Sequence, residues 1–380
     1  MHICRIMARN FRIYSVIDIA LPTGIIAVVG DNAQGKTTFV EAIAFALTGE
    51  SPRTHDDREV LQKGAKYAVV KVLVRLEKGE EHWLEIAIAD GRKRWIIDGK
   101  ARRKWEEGWA PFHVVYFMPH EIQIVSGEPR GRRELLDKTL SHWNHSYHFN
   151  LLNYRRAISH RNALLERINQ EGNLTKESRA EIDNWNMQVA KYGARLIGMR
   201  LEFIQRWHPL VWEFFSELGG VGRVELRYVS SLGEDALKLY SSGKIEALLE
   251  RYIELLEEAL LRDIETTATS VGPHRDDLQI LIDNMDVRDY GSSGQQKLTL
   301  LAMKLSLGKL HELERKMSSI ILLDDALSQL DNKRRRKLFE VIQRYEQCII
   351  TMTSFEDIPQ PFRDICALFQ IERGKVTRIK

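Results

Sequence analysis

Cysteine is scarce in this chain. Cys4, Cys348 and Cys366 are the full complement, and they are too scattered for a disulfide framework or a cysteine-based zinc site. A reducing compartment is the simplest fit. Long hydrophobic runs are also missing. The run Gly24–Gly30 falls far short of the length that spans a bilayer. Arg5, Arg9 and Arg12 interrupt any signal-peptide layout at the front, so a soluble cytoplasmic protein with no membrane partner is expected. Surplus charge is absent as well. The chain has 56 Lys and Arg against 53 Asp and Glu, which excludes a globally basic nucleic-acid glove and leaves any DNA contact to a local patch. No internal repeat or low-complexity tract occurs. With 44% hydrophobic and 29% charged residues, the 380-residue chain reads as globular and is long enough for two domains.

Three zones follow one another. The first reads as strands and turns. Ile25–Val29 is a short apolar run closed by Gly30, as a buried strand would be, and Thr38–Leu47 has helical spacing. Tyr67–Leu76, Trp83–Ala89 and Arg94–Ile97 are separated by Lys78-Gly79 and Asp90-Gly91, with Asp98-Gly99 following. The two Asp-Gly pairs predict tight hairpins in an antiparallel meander. From about Arg132 to Glu265 the pattern turns helical. Ile245, Leu248, Leu249, Tyr252, Ile253, Leu256, Leu260 and Ile264 mark one apolar face, which predicts core packing rather than a long coiled coil. Strand–helix alternation then returns. Leu278–Ile282 and Val287–Tyr290 flank an expected turn at Asp283–Asp286. Helices are expected at Leu298–Leu313 and Lys333–Arg344, and buried strands at Ile320–Leu323 and Cys348–Thr351.

The sharpest motif is Gly30-Asp31-Asn32-Ala33-Gln34-Gly35-Lys36-Thr37, the pattern G-x-x-x-x-G-K-[ST] between a strand and a helix. Backbone N–H groups of such a loop point at phosphate oxygens. The glycines admit a backbone that side chains would obstruct. Lys36 is expected to pair with the β- and γ-phosphates of ATP, and the Thr37 hydroxyl to bind Mg²⁺, with Thr38 completing the nucleotide contacts. Ile320–Leu323 then delivers Asp324 and Asp325 to the end of a second buried strand, where ligands collect in open α/β sheets. Asp324 is the expected metal-side carboxylate. Asp325 is placed to orient or deprotonate water. The alternative is a pair of helix-capping carboxylates.

Ser292-Ser293-Gly294-Gln295-Gln296 lies between these motifs and resembles the S-x-G-Q signature of ABC-type ATPases. Ser328–Asp331 resembles their D-loop. Other segments narrow the likeness. They are Arg9-Asn10-Phe11-Arg12, Glu41-Ala42-Ile43, Leu47-Thr48-Gly49 with Ser51 and Arg53-Thr54, and Asp57-Arg58-Glu59. Phe117, Pro119, Gly127, Pro129, Arg132-Arg133 and Leu136-Asp137 follow, then Gly272-Pro273-His274-Arg275-Asp276-Asp277-Leu278, Tyr290–Lys297 and Leu322–Asp331. Together they resemble the RecF family, bacterial DNA replication and repair proteins of the SMC-like ABC group.

That resemblance implies an α/β ABC/SMC-type ATPase head, a P-loop NTPase sheet with an antiparallel meander, and an inserted, mainly helical arm. The expected division is residues 1–130 plus 298–380 for the head and 131–297 for the arm with the signature. It implies two ATP molecules sandwiched in a head-to-tail homodimer, with Ser292, Gly294 and Gln295 reaching the nucleotide held by the other subunit. It also implies slow hydrolysis, double-stranded DNA or single-/double-strand junctions as ligand, and RecO and RecR as partners in loading recombinase at gaps. A metabolic P-loop kinase and an ATP-gated adaptor without productive hydrolysis are the competing readings. Asp325 stands where many ABC proteins carry Glu, one methylene shorter. The histidine of the ABC switch loop has no clear counterpart at Thr351-Met352-Thr353, where Thr353 is the candidate. Gln123 is either a magnesium-sensing glutamine or a surface residue. Candidate DNA contacts are Arg92-Lys93-Arg94, Lys100 with Arg102-Arg103-Lys104, Arg130 with Arg132-Arg133, Arg155-Arg156 and Lys333–Lys337. Trp95 and Trp105 either stack on bases or pack in the meander. His274 and Arg275 are either a structural node or a sensing contact.

Overall fold

A computed structural model of the chain describes residues 1–102, 112–241, 243 and 245–380. Arg103, Lys104 and Trp105 lie outside the described residues. In chain order the strands are β1 (His2–Phe11), β2 (Tyr14–Ala20), β3 (Gly24–Val29), β4 (Tyr67–Arg75), β5 (Glu81–Ala89), β6 (Arg92–Ile97), β7 (Lys100–Arg102) and β8 (Val114–Phe117). They continue as β9 (Val224–Val229), β10 (Asp277–Ile282), β11 (Met285–Asp286), β12 (Ile320–Leu323), β13 (Gln347–Met352), β14 (Ala367–Glu372) and β15 (Lys375–Arg378).

Two compact units emerge. The first comprises Met1–Ile122, Pro209–Gly222 and Gly291–Lys380. It contains an antiparallel sheet in the order β2-β1-β4-β5-β6-β7 and a second sheet in the order β15-β14-β3-β13-β12-β8. The second sheet is parallel except for the β14–β15 hairpin. Parallel strands must be covered on both faces, which explains the unbroken apolar runs of β3 and β12 and the burial of β13 along its whole length. The helix Lys36–Thr48 packs between the sheets and contributes Phe39, Val40, Ile43 and Leu47 to the core they share.

The Asp-Gly pairs form the expected hairpins. Asp90, Gly91, Asp98 and Gly99 all have positive φ, the two-residue turn whose twist matches the strands it joins. One expectation fails in the arm. The β10–β11 turn is the pair Asp283-Asn284, both at positive φ, so the hairpin closes on Met285–Asp286. Val287–Tyr290 is consequently a short helix, not a returning strand.

The second unit, Gln123–His208 with Arg223–Tyr290, is mainly helical around the sheet β11-β10-β9. Leu248, Tyr252, Leu256 and Leu260 are buried and Leu249, Ile253 and Ile264 half-buried, so the centre of the predicted apolar stripe is core and its margins are its edge. The Gly272–Leu278 segment ties this unit together. Asp276 is 1% exposed and accepts Tyr228 Oη at 2.6 Å, Ser231 N at 2.7 Å and Ser231 Oγ at 2.8 Å. Arg200, equally buried, donates to Asp137 at 2.7 Å and to the Pro273 carbonyl at 2.7 Å. His274 has both ring nitrogens engaged, Nδ1 with Tyr154 Oη at 2.6 Å and Nε2 with the Thr269 carbonyl at 2.9 Å. Burial lowers its pKa to about 4. The structural alternative for His274 is therefore the one its surroundings match.

Residues 209–222 and 291–297, expected with the arm, pack in the first unit, and residues 123–130, expected with the head, pack in the second. The reason for 291–297 is the helix Ser293–Arg315. It starts five residues earlier than Leu298 and adds Lys297 to a long buried stretch. Among the described residues, no helix is long and apolar enough to cross a membrane.

Candidate functional site

Sheet order builds the site. β13 lies between β3, which feeds the glycine loop, and β12, which ends at the two aspartates. Register sets Leu323 beside Ile350 and Thr351 beside Val28, so the next residue of β12, Asp324, meets Thr351 at the sheet's carboxyl edge. Asp324 Oδ1 accepts Thr351 Oγ1 at 2.8 Å, and Oδ2 accepts Thr37 Oγ1 at 2.8 Å. Thr351 Oγ1 in turn accepts the Asp325 amide at 2.9 Å. Burial pushes the Asp324 carboxyl above its ordinary range, while the two hydroxyls pull it back.

The loop geometry explains its glycines. A Cβ on Gly30 would stand 2.4 Å from the Ile371 carbonyl oxygen on neighbouring β14. Gly35 has φ 117, and a Cβ there would meet Ile13 and Tyr14 at 2.6 and 2.8 Å. Tyr14 Oη also donates to the Gly35 carbonyl at 2.9 Å. Gln34 Oε1 accepts the Arg373 amide at 2.6 Å, which fastens the loop to the β14–β15 turn.

Asn32, Ala33, Gly35, Lys36, Thr37, Thr38, Asp324 and Asp325 line one cavity of about 320 Å³, together with Ile13, Arg53, Pro119 and Thr351. Gly30 and Asp31 border it through the loop. Their carbonyls hold Lys36 Nζ at 2.6 and 2.8 Å. Burial pushes the Lys36 ammonium below its usual pKa, opposed by Asp324, Asp325 and Asp31. Trading two carbonyl contacts for phosphate oxygens relieves that desolvation with charge-assisted bonds. Thr37 and Asp324 bring a hydroxyl and a carboxylate side by side. These are hard oxygen donors of the kind Mg²⁺ takes alongside phosphates and water. Among the described residues, no group of three or more His, Cys, Asp and Glu side chains forms a metal cage of its own.

Four cavity residues, Ile13, Arg53, Pro119 and Thr351, were not assigned a role from the sequence. Thr351 is one. Its backbone strand was predicted, but its contact depends on sheet order. Arg53 is the second. It donates to Glu41 at 3.1 Å, and Glu41 is completely buried under Arg12 at 2.8 Å and Ser51 at 2.7 Å. Three residues of the separate family-like segments, Arg12, Ser51 and Arg53, thus meet on one carboxylate, which braces Arg53 at the cavity wall. Ile13 is the third, carried there by the β1–β2 turn, and Pro119 is the fourth. Thr353, the sequence candidate for the γ-phosphate, instead donates to Asp357 at 3.2 Å. Gln123 opens a short helix in the second unit.

Ser292, Gly294 and Gln295 are not cavity-lining residues. Ser292 caps the helix Ser293–Arg315, and a capping box joins it to Gln295. Ser292 Oγ accepts the Gln295 amide at 3.3 Å, and Gln295 Oε1 accepts the Ser292 amide at 2.9 Å. Lys297, one turn on, donates to the Asp325 carbonyl at 3.1 Å, the Ser328 carbonyl at 2.6 Å and Ser328 Oγ at 2.7 Å. Its pKa is pushed down to about 8 by burial, with Asp325 opposing. The signature helix is thereby bonded to the backbone that presents Asp325. Asp325 holds φ 49, and its carboxylate makes no hydrogen bond among the described residues.

Most of the basic clusters dissolve into ion pairs. Lys93 is held by Asp57 and the Gly49 carbonyl, Arg132 is buried against Asp277, and Arg133 donates to the Asp276 carbonyl. Arg130 pairs with Glu134, Arg155 with Asp137, and Arg334, Arg335 and Arg336 with Asp331, Asp357 and Glu340. Trp95 packs over Gly49 at the end of the phosphate-loop helix, which favours packing over base stacking.

Residues 5–351 match the family model described as AAA domain. The chain is 30% identical over 383 residues to the DNA replication and repair protein RecF of Clostridium novyi (strain NT), covering all of both chains. Among solved structures it is similar to the recombination mediator protein RecF-ATP in the RecFOR pathway. The TM-score is 0.86 at 29% identity, covering 100% of this chain and 98% of that one. An SMC head bound to the C-terminal winged-helix domain of ScpA shares the fold, at TM-score 0.55 and 15% identity.

Proposed function

The chain belongs to the RecF family of DNA replication and repair proteins, and from that premise we propose that it is an ATP-dependent DNA-binding ATPase whose nucleotide closes a head-to-tail dimer on duplex DNA or a single-/double-strand junction. The observation that carries this reading is the Thr37–Asp324–Thr351 chain of hydrogen bonds, which joins the phosphate loop to the acidic strand across β13. Binding alone needs the loop; hydrolysis needs the second strand as well.

In this reading the Gly30–Thr38 backbone cradles the triphosphate and Lys36 leaves the loop carbonyls for the β- and γ-phosphates. Thr37 and Asp324 would hold Mg²⁺, which supplies charge neutralisation between those phosphates. Asp325 accepts a proton from water as its oxygen attacks the γ-phosphorus, and the bond to the bridging oxygen breaks to give ADP and phosphate. The aspartate reaches less far than a glutamate, which makes the step slow. Arg53, braced by Glu41, adds a cation at the cavity wall. The Ser292 hydroxyl and the N-terminus of its helix meet the γ-phosphate bound by the other subunit. Cleavage removes that bridging phosphate, and Lys297 links the signature helix to Asp325 within each head. Release of the dimer then ends DNA retention, a switch by differential binding. RecO and RecR are the expected partners, helped to load recombinase at gaps.

The experiment is DNA retention measured with ATP, with ADP and without nucleotide. Strong retention with ATP alone is expected. Equal retention in all three conditions would remove the switch.

A further inference from the structure

The outer face of the β2-β1-β4-β5-β6-β7 sheet holds its charges in two conditions. Side chains pointing away from the core form cross-strand rows. One row reads Asp18, Met7, Lys71, Glu85 and Ile96, and the next Ala20, Arg5, Leu73 and Trp83. Charges in this part of the face are matched. Arg5 meets Asp18 at 2.6 Å, Lys71 meets Glu85 at 3.6 Å, and Arg75 meets Glu81 at 2.5 Å.

The other end differs. Its row reads Val16, Arg9, Val69, Ala87 and Arg94, and beyond it stand Tyr67, Ala89 and Arg92. Neither row contains an acid. Asp90 lies in the adjoining turn, while Lys63 and Lys66 are exposed in the loop leading to β4. Arg9, Arg92 and Arg94 are exposed, and among the described residues they have neither an ion pair nor a hydrogen-bonded side-chain partner. Their neighbours are small or flat. Ala87 and Ala89 add no relief, and Val16 and Tyr67 are 60% and 40% exposed. An isolated arginine forgoes Coulomb energy that a neighbouring carboxylate would give it, and elsewhere on this face such partners are supplied.

We propose that this end of the meander is the surface on which duplex DNA lies, with Arg9 on one side of a groove and Arg92 and Arg94 on the other. The inference rests on the DNA-binding function proposed above. Charge complementarity selects the occupant, because guanidinium forks suit phosphate oxygens and a flat, acid-free strip admits a polyanion. Spacing agrees. Arg9 and Arg94 are separated by three strand steps, about 14 Å, against a major groove about 12 Å wide. Arg92 stands about 7 Å along the strand from Arg94. Position agrees too. Arg9 and Ile13 belong to the same β1–β2 hairpin, so DNA here would lie beside the nucleotide cavity. Phosphate contacts of this kind give affinity without reading sequence.

The test is the salt dependence of binding of a 30-base-pair duplex in the presence of ATP, by fluorescence anisotropy. For Arg9→Ala/Arg92→Ala/Arg94→Ala the slope of log K against log salt is expected to be shallower by about 2.7, at roughly 0.9 per lost phosphate contact. Arg9→Lys/Arg92→Lys/Arg94→Lys keeps the slope, which separates lost charge from lost fold. Arg5→Ala/Arg75→Ala on the matched part of the face also keeps it. An unchanged slope in the alanine triple variant, with wild type binding DNA, overturns the proposal and leaves the strip to an acidic protein partner. A wild type that binds no duplex overturns the DNA-binding reading along with it.

Discussion

Thr37 and Asp324 are separated by 287 positions in the chain and by 2.8 Å in the fold. The contact exists because β13 runs between their strands, and Thr351 at the end of β13 takes the other carboxylate oxygen. A buried carboxylate held by two hydroxyls keeps one orientation, which a metal site needs from its second layer of contacts.

Thr351→Val tests that dependence. The valine keeps the shape but removes the donor, leaving Asp324 with Thr37 alone. The magnesium concentration that half-saturates ATP turnover is expected to rise roughly 10- to 100-fold. A magnesium titration at fixed ATP reads it, and an unshifted midpoint would detach Thr351 from the site.

Gly30→Ala concerns the loop. The added Cβ would stand 2.4 Å from a backbone carbonyl of β14, which cannot rotate away as a side chain could. Overpacking of this sort costs about 1–3 kcal/mol. Nucleotide affinity is expected to collapse together with a fall in stability, read by titration with a fluorescent ATP analogue and by urea unfolding. Wild-type affinity in the variant would contradict the close approach.

Ser292 has a structural duty that its proposed contact with a second subunit must be separated from. It is the N-cap of its helix, so Ser292→Ala is expected to cost about 1 kcal/mol. Ser292→Asp retains a good cap and is expected to unfold within about 0.5 kcal/mol of wild type. Urea midpoints of the three proteins give the comparison. Equal losses in both variants would mean that the cap is not what Ser292 contributes.

The arm has a pH dependence with a definite sign. His274 is buried and neutral, with its pKa lowered to about 4 from an ordinary value near 6.5. Between those values the unfolded chain binds a proton that the folded arm refuses, so stability falls as pH drops from about 6.5 to 4. The full loss is about 3.5 kcal/mol, at about 1.4 kcal/mol per unit. His274→Gln has no such proton to bind, and its pH profile is expected to be flatter over that interval. Parallel profiles would show that other groups set the acid sensitivity.

Local chemistry made much of this site legible in the sequence. The glycine loop between strand and helix, the apolar run ending in two aspartates, and the Asp-Gly hairpins are each written within a dozen residues. Thr351, Arg53 and Ile13 were not legible as site residues, because their placement follows from strand order and from convergence on Glu41, neither of which is periodic in sequence. Val287–Tyr290 was misread for a smaller reason. Asp283-Asn284 tolerates positive φ at both positions and closes the hairpin two residues early. The basic clusters show the reverse problem. Adjacent arginines in sequence proved to be ion-paired with distant carboxylates, while the unpaired ones, Arg9 with Arg92 and Arg94, are assembled from different strands.

The central claim is that ATP is part of a subunit interface and not simply a substrate in a pocket. Sedimentation velocity of wild type and Ser292→Asp, each with ATP and magnesium, tests it most directly. The aspartate keeps the helix cap and sets a negative charge against the γ-phosphate of the other subunit. Wild type is expected to sediment as a dimer with ATP and as a monomer with ADP, while Ser292→Asp binds ATP and stays monomeric. A Ser292→Asp protein that dimerises with ATP as wild type does would contradict the account.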